Sequence, residues 1–166
     1  AKIDPHIADM RAAIEPALAA LAASRANLDD LAELQRQMRE LQQTPKLEAE
    51  ISYLAGIFKI SGNPFAGNVL NLSFWACKRY RDVPLSAYSQ LTVSICQGQP
   101  EAARRFALQA ILTRVEIMES KKNPATLVAG ELGASAEGGG GEPRKVNLYL
   151  KYAKTNRLDQ PKVKNG

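Results

Sequence analysis

Helix-ending residues divide this chain more firmly than any other feature of it. The pairs Asp4-Pro5, Thr44-Pro45, Asn63-Pro64, Gln99-Pro100 and Asn123-Pro124 recur along the sequence. Proline has no N–H, so it is tolerated in the first turn of a helix and disfavoured further in. The stretches between these stops repeat apolar residues at three- and four-residue steps, the period of one helix face. After Pro5 the steps are Ile7, Met10, Ile14, Leu18 and Leu21, with Pro16 placed to kink or divide the helix. Asn27 then caps a segment striped by Leu28, Leu31, Leu34, Met38 and Leu41, which fits a helix packed on its neighbours. Two heptads are too few to argue a coiled-coil seam from that stripe.

A third helix, "KLEAEISYLAGIFKIS", runs to Gly62, and a fourth, within "FAGNVLNLSFWACKRY", is apolar on most sides and is therefore expected at the centre. A fifth, roughly Leu85 to Gln97, presents Tyr88, Leu91, Thr92 and Ile95 on one face. The sixth opens at Pro100 and buries Phe106, Ala110, Ile111, Val115 and Met118. With 45% hydrophobic residues and only 6% aromatic ones, the composition suits helices better than a sandwich or barrel. The expected fold is all-α, a helical bundle or a short stack of helical hairpins, followed by an extended C-terminal arm.

Two hairpins share the pattern Gly-x-Pro-x-Ala: Gly62, Pro64 and Ala66, then Gly98, Pro100 and Ala102, 36 residues on. Glycine ends one helix, proline begins the next, and alanine lets the two approach closely. Periods of this size belong to helical-hairpin arrays. The second copy slightly resembles a tetratricopeptide repeat at Gly98, Ala103, Phe106 and Ala110, but Pro100 stands where that repeat has its tyrosine.

Charge is distributed unevenly. Residues 1–141 hold 15 basic and 15 acidic side chains, whereas residues 142–166 hold 7 basic and 2 acidic, so the whole formal charge of +5 resides at the end. Ahead of it, "ASAEGGGG" is a flexible linker by composition. Beyond the glycines, Val146, Leu148, Leu150 and Tyr152 alternate with Asn147, Tyr149, Lys151 and Ala153, the period of a strand with no sheet of its own. The reading is a helical body over 1–132, a linker over 133–141 and a basic arm over 142–166.

Chemistry that needs histidine is excluded, because His6 is the one histidine of the chain. Glu116 and Glu119 lack the histidine that paired-glutamate metal sites use. The four glycines lead into Glu142-Pro143, where a phosphate loop needs Gly-Lys-Ser/Thr. A helix-turn-helix over 90–106 fails because Arg104 occupies the position that must pack on the first helix. No enzyme, metal or cofactor is expected.

Cys77 and Cys96 lie in apolar patterns without zinc or disulfide spacing, which reads as reduced, buried cysteine. No segment approaches the roughly 20 apolar residues of a membrane helix. The residues at the start of the sequence do not follow a secretion-signal pattern, so a soluble cytoplasmic protein is expected.

The function that uses most of these features is non-enzymatic assembly or adaptation. The helical body binds protein partners or copies of itself, and the arm reaches a neighbour or nucleic acid. The binding residues expected on the arm are Arg144, Lys145, Tyr149, Lys151, Tyr152, Lys154, Arg157, Lys162 and Lys164. Lys78, Arg79, Arg81, Arg104 and Arg105 would extend a basic surface on the body. Two alternatives stand beside it. One is a nucleic-acid-binding protein using these helical faces and the arm on the phosphate backbone. The other is a helical-repeat chaperone or adaptor with a functionless tail.

Overall fold

The computed structural model describes the backbone of residues 5–122 and the side chains of residues 6–114. The 133–141 linker, the 142–166 arm with its nine named side chains, and the last ten residues of the expected body lie outside the described residues. Six helices fill the described part: α1 (Pro5–Arg25), α2 (Leu28–Gln43), α3 (Leu47–Ser61), α4 (Ala66–Cys77), α5 (Leu85–Cys96) and α6 (Pro100–Lys122). The all-helical expectation holds. Among the described residues no helix is long and apolar enough to cross a membrane.

The boundaries follow the local chemistry. Asn27 and Asp30 make a reciprocal capping box: the Asp30 amide donates to Asn27 Oδ1 at 2.8 Å, and the Asn27 amide donates to Asp30 Oδ2 at 3.0 Å. Gly62 and Gly98 both take left-handed backbone, with φ of 72° and 64°, as the shared hairpin pattern requires. After α5 the Gly98 and Gln99 amides donate to Ile95 and Ser94 carbonyls at 3.0 and 2.9 Å, satisfying two of the last carbonyls of the helix. At the end of α3 the side chain of Arg25 does this work, its Nη1 donating to the Ser61 carbonyl at 2.6 Å.

Two expectations change, and the choice between bundle and stack is narrowed to one. Pro16 is buried and does not divide α1, which continues through it for 21 residues. The proline removes one backbone bond at a cost of about 3 kcal/mol, and α1 offsets this by packing on α3, α4 and α5 at once. Second, α1 is central, and α4 is peripheral. α4 buries the small side chains Ala66, Ser73, Ala76 and Cys77, and leaves Phe74 and Trp75 exposed. Its apolar richness on most sides therefore reports surface as well as core. As to the choice, the helices do not form a stack of hairpins. In a stack each hairpin meets its sequence neighbours, whereas here α2 meets α5 and α1 meets α5. The hairpin turns are alike, but the arrangement is a bundle, and the likeness to a tetratricopeptide repeat ends at the turn.

Side-chain placement refines the stripes. Leu34, Met38 and Leu41 of α2 are buried as expected, but Leu28, the first residue of the helix, is 84% exposed. Tyr88, Leu91, Thr92 and Ile95 of α5 are all buried. This packing lies within one compact unit that ends at Met118.

Candidate functional site

Among the described residues four formally charged side chains lie in the interior: Arg11 and Glu15 of α1, Glu50 of α3 and Arg114 of α6, each no more than 3% exposed. Burying charge costs several kcal/mol per ion unless geometry and hydrogen bonds compensate. Here they pair as two arginines with two glutamates. On α1 the partners sit one turn apart. Arg11 Nε donates to Glu15 Oε2, and Arg11 Nη2 donates to Glu15 Oε1 at 3.2 Å, so the fork engages both oxygens.

The second pair is assembled across the fold. Arg114 Nη1 and Nη2 donate to Glu50 Oε2 and Oε1 at 2.6 and 2.9 Å, and the Tyr88 hydroxyl donates to Oε2 at 2.6 Å. Arg114 also reaches the chain between α4 and α5, where its Nε and Nη2 donate to the Asp82 carbonyl at 2.9 and 2.7 Å. Its Nη1 lies 3.3 Å from Cys77 Sγ, and its guanidinium carbon 4.8 Å from the Tyr80 ring centre. Around Tyr88, the Tyr53 hydroxyl is 2.8 Å from Thr92 Oγ1 and donates to the Tyr88 carbonyl at 3.1 Å, with the two tyrosine rings 5.0 Å apart.

Proton positions follow from this burial. Burial, and then the Glu50 carboxylate, raise the Tyr88 phenol well above its ordinary value, so Tyr88 keeps its proton and can donate it to Glu50. Burial pushes the Cys77 thiol up to about 12, which leaves it protonated and a poor nucleophile. Burial also raises the Glu15 carboxyl, against the opposing pull of Arg11.

Arg11, Glu15 and Tyr88 line a small cavity together with apolar residues that include Leu54, Phe58, Leu91 and Ile111. The free room is about 10 Å³, enough for about one water molecule. Among the described residues no group of three or more His, Cys, Asp or Glu is placed to hold a metal ion. What remains is a small cavity whose lining combines the Arg11–Glu15 pair and Tyr88 with apolar side chains.

The FCD domain family matches residues 6–114, well over half of the chain. This chain belongs to the FCD domain family. A comparison with curated proteins finds no matching relative. The FCD domain is the C-terminal effector-binding domain of GntR-family transcriptional regulators. That membership overturns the expectation of a structural, assembly or adaptor protein, because the family is a regulatory, effector-binding one. The match begins at His6 and ends at Arg114, so it takes in all four buried charges.

In this FCD domain the expected basic residues of the body lie on two segments, one after α4 and one on α6. Lys78, Arg79 and Arg81 follow α4 directly, with Lys78 and Arg81 exposed and Arg79 half-buried. Lys78 Nζ lies 3.5 Å from the Trp75 ring centre and is partly occupied there. On α6, Arg104 is half-buried and 3.7 Å from Glu101, and Arg105 is exposed with its guanidinium carbon 5.0 Å from the Phe106 ring centre.

The buried charges were missed, though a signal for them exists. On α1 the expected core face is Ile7, Met10, Ile14, Leu18 and Leu21; Leu18 is buried, but Met10 is 48% exposed and the other three are half-buried. The face that is buried runs Arg11, Glu15, Leu18, Ala19, Ala22 and Ala23. An Arg and a Glu one turn apart, in register with alanines on the next turns, was the clue. Glu50 likewise shares the register of Tyr53, Leu54, Ile57, Phe58 and Ser61, and Arg114 that of Ala103, Ala107 and Ala110.

Proposed function

We propose that the body of this chain senses a small effector for transcriptional regulation and that the ligand enters the cavity beside Arg11, Glu15 and Tyr88. One observation carries the reading: the stretch that matches an effector-binding family contains a cavity with buried ionic groups on its wall. The role proposed is binding, with the protonated Tyr88 hydroxyl available as a donor. Because the free room is about one water, a ligand must displace side chains to enter, and association is slower than for an open cleft.

The test is a thermal-shift screen of small polar metabolites, repeated on Glu15→Gln and Tyr88→Phe. A saturable rise in the unfolding temperature that either substitution weakens at least about tenfold in affinity is the expected result. A ligand that binds all three chains equally would move the site elsewhere. A full screen without any shift would reject the effector reading.

A second reading, contact with nucleic acid, is favoured by the family's regulators acting in DNA-binding dimers and by the +5 charge held in residues 142–166. Here the basic residues 144–164 and the exposed Lys78, Arg81 and Arg105 neutralise phosphate. Binding should then weaken steeply with added salt and disappear on removal of residues 142–166. Salt-insensitive binding, or binding retained by the shortened chain, would reject it.

A further inference from the structure

One guanidinium joins the interior to the surface. Arg114 uses two edges of the same rigid plane. Its Nη1/Nη2 edge holds both oxygens of Glu50, and its Nε/Nη2 edge holds the Asp82 carbonyl. Because the guanidinium is planar and its donors are fixed in a fork, one edge cannot turn without turning the other. The Tyr80 ring beside the plane further limits its orientation.

Glu50 is in turn connected to the cavity, because Tyr88, which lines the cavity, donates its hydroxyl proton to the same carboxylate oxygen that Arg114 Nη1 holds. A continuous series of contacts therefore runs from the cavity wall through Tyr88, Glu50 and Arg114 to the backbone of residue 82. At its outer end lie residues 78–84, which connect α4 to α5 without helix and carry the exposed Lys78 and Arg81.

We propose that Arg114 is a coupling residue, which makes the conformation of residues 78–84 answer to the hydrogen-bond state of Glu50 and, through it, of Tyr88 at the cavity wall. A ligand that takes the Tyr88 hydroxyl as its own donor removes one of the three hydrogen bonds given to Glu50. The carboxylate then reorients toward its remaining donors, and the guanidinium follows, carrying the Asp82 carbonyl with it. The output is a changed presentation of Lys78 and Arg81. The built-in reporter is Trp75, the one tryptophan of the chain, whose ring Lys78 Nζ covers at 3.5 Å. This proposal rests on the effector reading for its regulatory sense but not for its test, which needs no ligand. Failure of the test leaves the effector site standing, and failure of the ligand screen leaves the coupling measurable.

The experiment is amide hydrogen exchange, with Trp75 emission alongside, on the whole chain and its Arg114→Lys, Tyr88→Phe and doubly substituted forms. Lysine keeps the charge but cannot hold Glu50 and Asp82 with two edges of one plane. In Arg114→Lys, exchange over residues 79–83 should rise about tenfold or more, α2 should keep its wild-type rates, and Trp75 emission should shift. Tyr88→Phe should raise exchange in the same segment by a smaller factor and add nothing in the Arg114→Lys background, because the two act in series. Independent, additive effects would overturn the proposal, as would uniform loosening of α1 to α3 or an unchanged segment in Arg114→Lys. Should Arg114→Lys fail to fold, Glu50→Asp takes its place. It keeps the charge while withdrawing the carboxylate by one methylene, and it must open residues 79–83 ahead of the rest or the coupling is rejected.

Discussion

Arg36 on α2 and Arg114 on α6 both pair with glutamate carboxylates, yet they belong to different physical worlds. Arg36 meets Glu33 at 2.6 Å and Glu40 at 3.1 Å with all three side chains more than half exposed. Arg114 meets Glu50 at the same 2.6 Å with both side chains 3% exposed or less. Distance alone does not separate them. Water screens the first pair, so little is lost when it breaks. In the interior nothing replaces a missing partner, so the second pair holds its geometry and the helices that carry it.

The largest test of this contrast is Glu50→Ala, which strands a guanidinium in the core. Unfolding by urea should show a loss of about 3–5 kcal/mol. The double substitution Glu50→Leu with Arg114→Met should recover most of it, since the penalty belongs to the unpaired charge and not to the absence of a salt bridge. Next is Tyr88→Phe, which deletes one hydrogen bond to a charged group and should cost about 1.5–3 kcal/mol in the same measurement.

A pH series sharpens the comparison from another side. The Cys77 thiol is held at about 12 in the fold against about 9 when unfolded, so the unfolded chain gives up its proton first as pH rises. The contribution is complete below about pH 9 and is lost as pH climbs toward about 12. Wild type should therefore lose more stability than Cys77→Ala between pH 8.5 and 10.5, a window chosen from that shift. At pH 8 a thiol reagent should modify the half-buried Cys96 in the native chain and reach Cys77 only on unfolding. The smallest effect belongs to Arg36→Gln. Its urea midpoint should match wild type at 0.15 M salt within error, and a clear loss there would contradict the exposure argument.

The sequence carried the helices and their ends well, because those depend on neighbouring residues. Asn27 with Asp30, the two left-handed glycines and the α5 face all follow from spacing. Orientation within the bundle was another matter. Phe74 and Trp75 suggested a central α4, but only the tertiary arrangement determines that the small face at Ser73 and Cys77 turns inward. The candidate site was hidden for a related reason. Charged residues are almost never fully buried without a partner, which biases any reading toward placing Arg11 and Glu50 outside. Glu50 and Arg114 are 64 positions apart, so no local pattern links them. The basic end of the chain drew attention by its composition, whereas the groups that line the cavity are electrically balanced and leave no trace in net charge.

That difference in separation also sets an order of events during synthesis. Arg11 finds Glu15 within its own helix, four residues on, and can be neutralised as soon as that turn forms. Glu50 leaves the ribosome 64 residues before Arg114. At roughly 5–20 residues per second the interval is on the order of several seconds. Throughout it, α3 must keep a carboxylate in water on the face that will become its buried side. Closure of the bundle over α3 is thus timed by the arrival of its last helix, and a nascent chain that stops short of Arg114 carries the charge without the means to enclose it.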